Sequence, residues 1–97
     1  MKRKQGFIVD KIAGENVAVP VGEMSKSFHG MIKLNGTALF IWEQLENDVT
    51  EEQITDALTE AYEVDRTRAA ADVARIVGAL RDAGIVTEDG ELPPFGA

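Results

Sequence analysis

The residues of this chain that could do chemistry do not stand at spacings that would let them do it. His29, the only histidine, has no cysteine and no paired carboxylate motif beside it, and reads as a surface residue rather than a metal ligand. The complete absence of cysteine rules out a disulfide scaffold, a thiolate zinc site, an iron–sulfur cluster and a cysteine nucleophile. Glu46-Asn47-Asp48 and Glu51-Glu52 are acidic, but they lack the alternating D-x-D-x-D-G spacing of an EF-hand loop and read as a solvated helix start. Ser25 and Ser27 carry no sign of a general base. There is no G-x-G-x-x-G, phosphate loop or nucleophile elbow. No catalysis, metal or cofactor is expected.

What remains is recognition. A helix from about Arg66 to Ala83 carries the apolar stripe Val73, Ile76, Val77 and Leu80, with Ala69, Ala70, Ala71, Ala74, Gly78 and Ala79 beside it. Small side chains let another chain approach closely. Glycine in mid-helix costs about 0.5–1 kcal/mol relative to alanine, so Gly78 is expected to mark a close approach, by a partner or by the rest of the fold. Arg68, Arg75 and Arg81 make this helix locally basic, although ordinary surface charge explains them as well. Trp42 lies on another amphipathic helix, where an indole is expected in the core.

The elements that must position these residues hinge on Gly30–Leu45. Met31 to Leu34 is β-compatible, Asn35-Gly36 stops the strand, and the Asn35 side chain can cap a helix bearing Ala38, Ile41, Trp42 and Leu45 on one face. Before it, Gly6–Ile12 and Val17–Val21 read as a hairpin about a turn at Ala13–Asn16, with Phe7, Val9 and Ile8 inward. Pro20 predicts an edge position for its strand, or an orientation away from the ladder. Gly22–His29 reads as an irregular loop. After the hinge, Thr50-Glu51-Glu52-Gln53 is a capping box opening a helix with Ile54, Ala57, Leu58, Ala61 and Tyr62 on one face. Asp65 is the predicted cap of the last helix and Gly84 its C-terminal stop, with Ile85-Val86 a short extended piece. Residues 1–5 are expected to fray, and 89–97, with Pro93-Pro94, to form a mobile tail. The result is a single α+β domain with an ordered core over about 6–88. A three-stranded antiparallel sheet is followed by three helices (βββααα), a winged helix-turn-helix-like plan.

The 97 residues leave no room for a second core, and 44% hydrophobic with 28% charged residues is a globular composition. No apolar run is long enough to span a membrane and no signal-peptide pattern is present, so a cytoplasmic location is expected. A net charge of −7 argues against non-specific nucleic-acid binding and against docking on anionic membranes. In a meander, the strand Met31–Leu34 is an edge, and Lys33 is the kind of residue that discourages promiscuous pairing there. An edge strand beside an alanine-lined helix is a site for β-augmentation by an extended peptide.

The block M-I-K-L-N-G-T-A-L-F-I-W-E-Q-L (31–45) resembles the LN-small-T-A-x-x-I-W-x-x-L block of the PqqD-like family, named for coenzyme PQQ synthesis protein D. Thr50–Ile54, Ala61–Asp65, Asp72-Val73, Leu80 and Ala83–Ile85 follow the rest of that pattern in order. Upstream, Ala13–Glu15 and Val19–Glu23 also fit. The similarity covers about residues 6–88. It implies a precursor-peptide recognition element of ribosomal peptide natural-product pathways, with a winged-helix arrangement. Such a domain is a non-catalytic adaptor that binds a leader peptide as an added strand and presents it to a modifying enzyme, frequently a radical SAM protein. Carried onto this chain, the resemblance implies peptide contacts from Met31, Ile32, Lys33 and Leu34 on the strand. On the helix it implies contacts from Ala70, Val73, Ala74 and Val77, with Arg75 meeting acidic leader residues. The competing readings are a winged-helix DNA-binding regulator, disfavoured by charge, and a structural subunit of an enzyme complex. A homodimer exchanging the same edge strand is a further arrangement open to the chain.

Overall fold

Three polar side chains decide where the long helices begin, and the computed structural model, which describes residues 1–87, shows all three engaged. Asn35 Oδ1 accepts from the Ala38 amide at 2.8 Å and starts α2, Gly36–Gln44. Thr50 and Gln53 close the reciprocal capping box at 3.1 and 2.9 Å and start α3, Glu51–Ala61. Asp65 Oδ1 accepts from the Arg68 amide at 2.9 Å and starts α4, Arg66–Asp82. The far end of α4 is closed by Gly84 at φ +81°. The Gly84 amide donates to Arg81 O and the Ile85 amide to Leu80 O, each at 2.9 Å, the paired bonds of a Schellman stop.

The sheet precedes these helices. Strand β2 (Phe7–Ile12) pairs antiparallel with β3 (Glu15–Pro20), and β3 pairs antiparallel with β4 (Ile32–Leu34), in the order β2-β3-β4. Strand β3 is therefore central, which excludes the edge position and leaves the second of the two that Pro20 allows, facing away from the ladder. Pro20 is its last residue, opposite Phe7, while β4 reaches only from Asn16 to Ala18, so the missing amide costs no bond to β4. Val9 and Ile8 are exposed; on β2 only Phe7 packs toward the core, its ring edge-on to Trp42 and Phe28 at 5.5 Å each.

The element order is richer than βββααα. A short helix, α1 (Met24–Ser27), occupies part of the expected loop, and a second, two-stranded sheet joins the chain ends. In it β1 (Lys2–Arg3) pairs antiparallel with β5 (Val86–Thr87). The first residues are thus built into the fold rather than frayed. The Met1 side chain is buried, its ammonium donates to Asp48 Oδ1 at 2.7 Å, and its carbonyl accepts from the Val49 amide at 2.9 Å. Arg3 lies over the Trp42 ring at 4.8 Å and donates through Nε to Trp42 O at 3.0 Å. Burial lowers the Arg3 pKa, with Glu46 and Glu43 opposing the shift. The expected tail, 89–97, lies outside the described residues.

The core gathers Ala18 and Leu34 from the sheet, Ala38, Ile41, Trp42 and Leu45 around α2, Ile54 and Leu58 from α3, and one stripe of α4, with Ile85 and Val86 beyond. Among the described residues no helix is long and apolar enough to cross a membrane.

Nothing in the fold itself approaches Gly78 closely: a Cβ built there meets nothing within 4 Å and its φ is not positive. Gly78→Ala should therefore raise the unfolding free energy by about 0.5–1 kcal/mol in a urea titration. The Asp48 carboxyl, hydrogen-bonded to the amino terminus and close to its charge, is held below the ordinary carboxylate range. A lowered folded-state pKa contributes stability above the unfolded value, which is lost as pH falls through the folded one. Asp48→Asn should accordingly lower the melting temperature at neutral pH and flatten its decline below about pH 4, read from melts across pH.

Candidate functional site

Strand β4 is held by β3 on one side only, and its other side is open among the described residues. In an antiparallel sheet alternate residues turn their N–H and C=O groups to the free edge, so β4 presents unpaired backbone there. The strand is three residues long because Gly30, at φ +115°, precedes it and Asn35 turns the chain into α2. Lys33 stands on the edge and pairs with Glu15 on β3, Nζ to Oε1 at 3.1 Å, with both side chains well exposed.

Beside this edge runs a groove of about 230 Å³ between β4 and α4. Ile32, Leu34 and Ala38 form one wall; Arg75, Ile76, Ala79 and Leu80 form the other. The groove is mainly apolar at its base, with the Arg75 guanidinium at its rim, 3.5 Å from Asp72 Oδ1. Around the end of β4 lies a second, more polar cavity of about 530 Å³.

Of the residues singled out on the strand, Ile32, Lys33 and Leu34 form β4; Leu34 is buried and Met31 precedes the strand, 60% exposed. On the helix only Arg75 lines the groove. Val73 and Val77 are fully buried in the core and have no surface to offer a peptide. Ala70 and Ala74 are exposed but do not line the groove. At about 100° per residue, Ala70, Ala74 and Val77 sit on one flank of the buried stripe and Arg75, Ile76 and Ala79 on the other. The periodicity shows the stripe, but nothing in it tells which flank β4 passes. Ile76, Ala79 and Leu80 line the groove as well, although the sequence points to Ile76 and Leu80 as core stripe and to Ala79 only as a small residue beside it. Trp42 is in the core, as expected, only 2% exposed.

Among the described residues no group of histidine and acidic side chains could hold a metal ion. His29 is exposed in the segment leading to β4.

An open-edged α+β domain with a helix-walled groove is a binding module. The chain belongs to the PqqD family: the family model for coenzyme PQQ synthesis protein D matches residues 8–86. Two solved structures share the fold at 25% sequence identity. One is TbiB1 in complex with the TbiA(beta) leader peptide, with a TM-score of 0.65 over 88% of this chain and 93% of the other. The second is lasso peptide synthetase B1 complexed with the leader peptide, with a TM-score of 0.63 over 87% and 93%. No curated protein matches by sequence. As a member of this family the chain is a non-catalytic binding domain, not an enzyme.

The assignment of Val77 to the core and Ala79 to the groove separates two substitutions. Val77→Glu buries an unpaired charge and should unfold or severely destabilise the domain. Ala79→Glu should leave the unfolding free energy within about 0.5 kcal/mol, both read by chemical denaturation.

Proposed function

We propose that this protein captures the leader segment of a ribosomally made precursor peptide and presents it to a modifying enzyme. The peptide adds to the free edge of β4 as a fourth strand, and its inward side chains enter the groove against α4. The observation that carries this reading is the juxtaposition of unpaired β4 backbone with an apolar groove, in a fold whose solved relatives were captured with leader peptides. Ile32, Lys33 and Leu34 supply the edge, with Met31 at its entrance; Arg75, Ile76, Ala79 and Leu80 supply the wall. Arg75 is the cation an acidic leader residue would meet, exchanging Asp72 for a new partner. Val73 and Val77 support the wall from beneath. A radical SAM protein is the modifying enzyme that the family resemblance suggests.

A strand of three residues exchanges only about two to four backbone hydrogen bonds with a neighbour, each worth about 0.5–1.5 kcal/mol net. Ordering a free peptide costs about 2–5 kcal/mol or more. Backbone pairing alone therefore does not hold a leader, and one or two apolar side chains buried in the groove, at about 1.5–3 kcal/mol each, must supply much of the affinity.

A DNA-binding role fits less well. The chain carries a net charge of −7, and on α4 itself Arg66, Arg68, Arg75 and Arg81 stand among Asp72 and Asp82, capped by Asp65, which leaves only a small local positive excess for phosphates.

The test is a titration of the labelled protein with the leader of a short precursor encoded beside its gene. Amide shifts should concentrate on Ile32–Leu34 and Arg75–Leu80. Ala79→Phe should fill the groove and weaken binding by about tenfold or more, equivalent to 1.4 kcal/mol, while Ala74→Phe on the other flank leaves it unchanged. Shifts confined to other surfaces, or equal loss in both variants, would refute the proposal.

A further inference from the structure

The hydrogen-bond register of the sheet decides which backbone groups β4 leaves open. Just beyond the β2–β3 ladder the Val21 amide donates to Gly6 O at 2.8 Å, so Gly6 and Val21 form a hydrogen-bonded pair. Such pairs alternate along antiparallel strands. Ile8–Val19, Asp10–Val17 and Ile12–Glu15 are then the pairs that bond β2 to β3, and Asn16 and Ala18 turn their backbone groups to β4. Leu34 and Ile32 stand opposite those two and bond to β3. Lys33 lies between them, so its N–H and its C=O both point to the free edge. Its side chain takes the opposite face from Ile32 and Leu34, which line the groove. On that outer face Lys33 is opposite Val17, and the Glu15 it pairs with sits one diagonal away.

We infer that Lys33 sets the register of the captured peptide and reads its charge. The inference rests on the strand-addition reading above and adds a substrate class to it: a segment apolar–x–apolar in which x is acidic. The peptide runs antiparallel, as both existing pairings do, because sheets of purely antiparallel strands are favoured. The residue x opposite Lys33 then exchanges two hydrogen bonds with it, and directly opposite residues share a face. The x side chain thus stands beside Lys33, outside the groove. Its two neighbours point the other way, into the space between Ile32, Ala38, Ile76 and Ala79. Directly opposite residues are about 4.5–5.5 Å apart and diagonal ones about 7–8 Å. A carboxylate at x is therefore better placed for Lys33 than Glu15 is, and an exposed ion pair is easily re-partnered. A cation at x meets a like charge.

The probe is a displayed library of random peptides selected on the wild-type protein, each selected peptide then synthesised with one backbone amide methylated at a time. Methylation at x removes the donor to Lys33 O and should weaken binding about tenfold or more. Methylation of either apolar neighbour, whose amide faces away from β4, should be tolerated. With x made Glu or Lys, the wild type should prefer the Glu form about threefold or more, and Lys33→Glu should prefer the Lys form. Comparing two peptides on one protein cancels any change in folding. Sensitivity at the apolar residues with tolerance at x, or the same preference in both proteins, overturns the inference. Lys33→Pro keeps it apart from strand addition, because proline there removes the free-edge donor and no bond to β3, and the domain should stay folded by circular dichroism. An unfolded Lys33→Pro contradicts the placing of its amide at the free edge. Lost binding in a folded Lys33→Pro together with either adverse peptide result sinks the register alone. A folded Lys33→Pro that binds as the wild type does, or a library that yields no binder, sinks strand addition and the register with it.

Discussion

An antiparallel sheet that stops at three strands leaves backbone hydrogen-bonding groups without protein partners, and on β4 those groups lie against a helix. Water satisfies them in the free protein; another extended chain satisfies them in a complex. The edge is managed in two ways that proteins use against unwanted pairing. It is three residues long, and its central position is a lysine already paired with Glu15. A strand this short gives weak backbone pairing by itself, so discrimination falls to the groove behind it. On the strand-addition proposal, affinity and selectivity would come from different parts of one surface: the backbone would accept any extended chain, and the space between Ile32 and Ala79 would decide which chain stays.

That space has to be held at a fixed width, and the amino-terminal strap has a part in this. Ala38 of α2 and Ile76 and Leu80 of α4 face each other across the groove. At the far ends of these helices the strap joins both. The Arg3 amide donates to Leu45 O at the end of α2, and the Lys4 amide to Ile85 O just after α4. The β1–β5 ladder and the buried Met1 side chain complete the clamp. A domain of this size has little apolar area to spare. These hydrogen-bonded contacts tie the carboxyl end of one wall helix to the segment after the other.

Local chemistry was legible in the sequence and tertiary choice was not. Asn35, Thr50 with Gln53, Asp65 and Gly84 each act within a few residues of themselves, so their roles could be read directly, and the three helices begin where those caps say. The β-compatible residues of Met31–Leu34 and the stop at Asn35 likewise indicate the strand that the structure shows at Ile32–Leu34. The amino-terminal strand escaped notice because Lys2-Arg3 has no β-like composition. Its pairing with Val86-Thr87 is a contact across almost the whole described chain, which no window of neighbouring residues contains. The helix residues singled out as contacts differ from those lining the groove for a related reason. Val73 and Val77 stood out by their periodicity, yet periodicity finds what is buried in the core, and a binding wall must keep part of its surface free. A glycine in a helix likewise invites a packing explanation, and at Gly78 the fold itself supplies none.

The charge distribution fits the use of backbone rather than charge for recognition. Helices α3 and α4 pack together across a short connection, and in nucleic-acid-binding proteins a helix that reads DNA presents free cations to phosphates. In this chain Asp56 on α3 reaches across to Arg66 on α4, and Asp72 lies beside Arg75 one turn away on α4 itself, so acidic side chains stand next to the cations of this helix. A net charge of −7 then repels polyanions at long range, while leaving the pairing of a neutral backbone edge untouched. The same fold plan can serve either purpose; the placement of two aspartates and an uncovered strand inclines this one toward peptides. An acidic surface also favours approach by cationic chains, so selectivity for an acidic leader residue at Arg75 would have to act at short range, after the strand has docked.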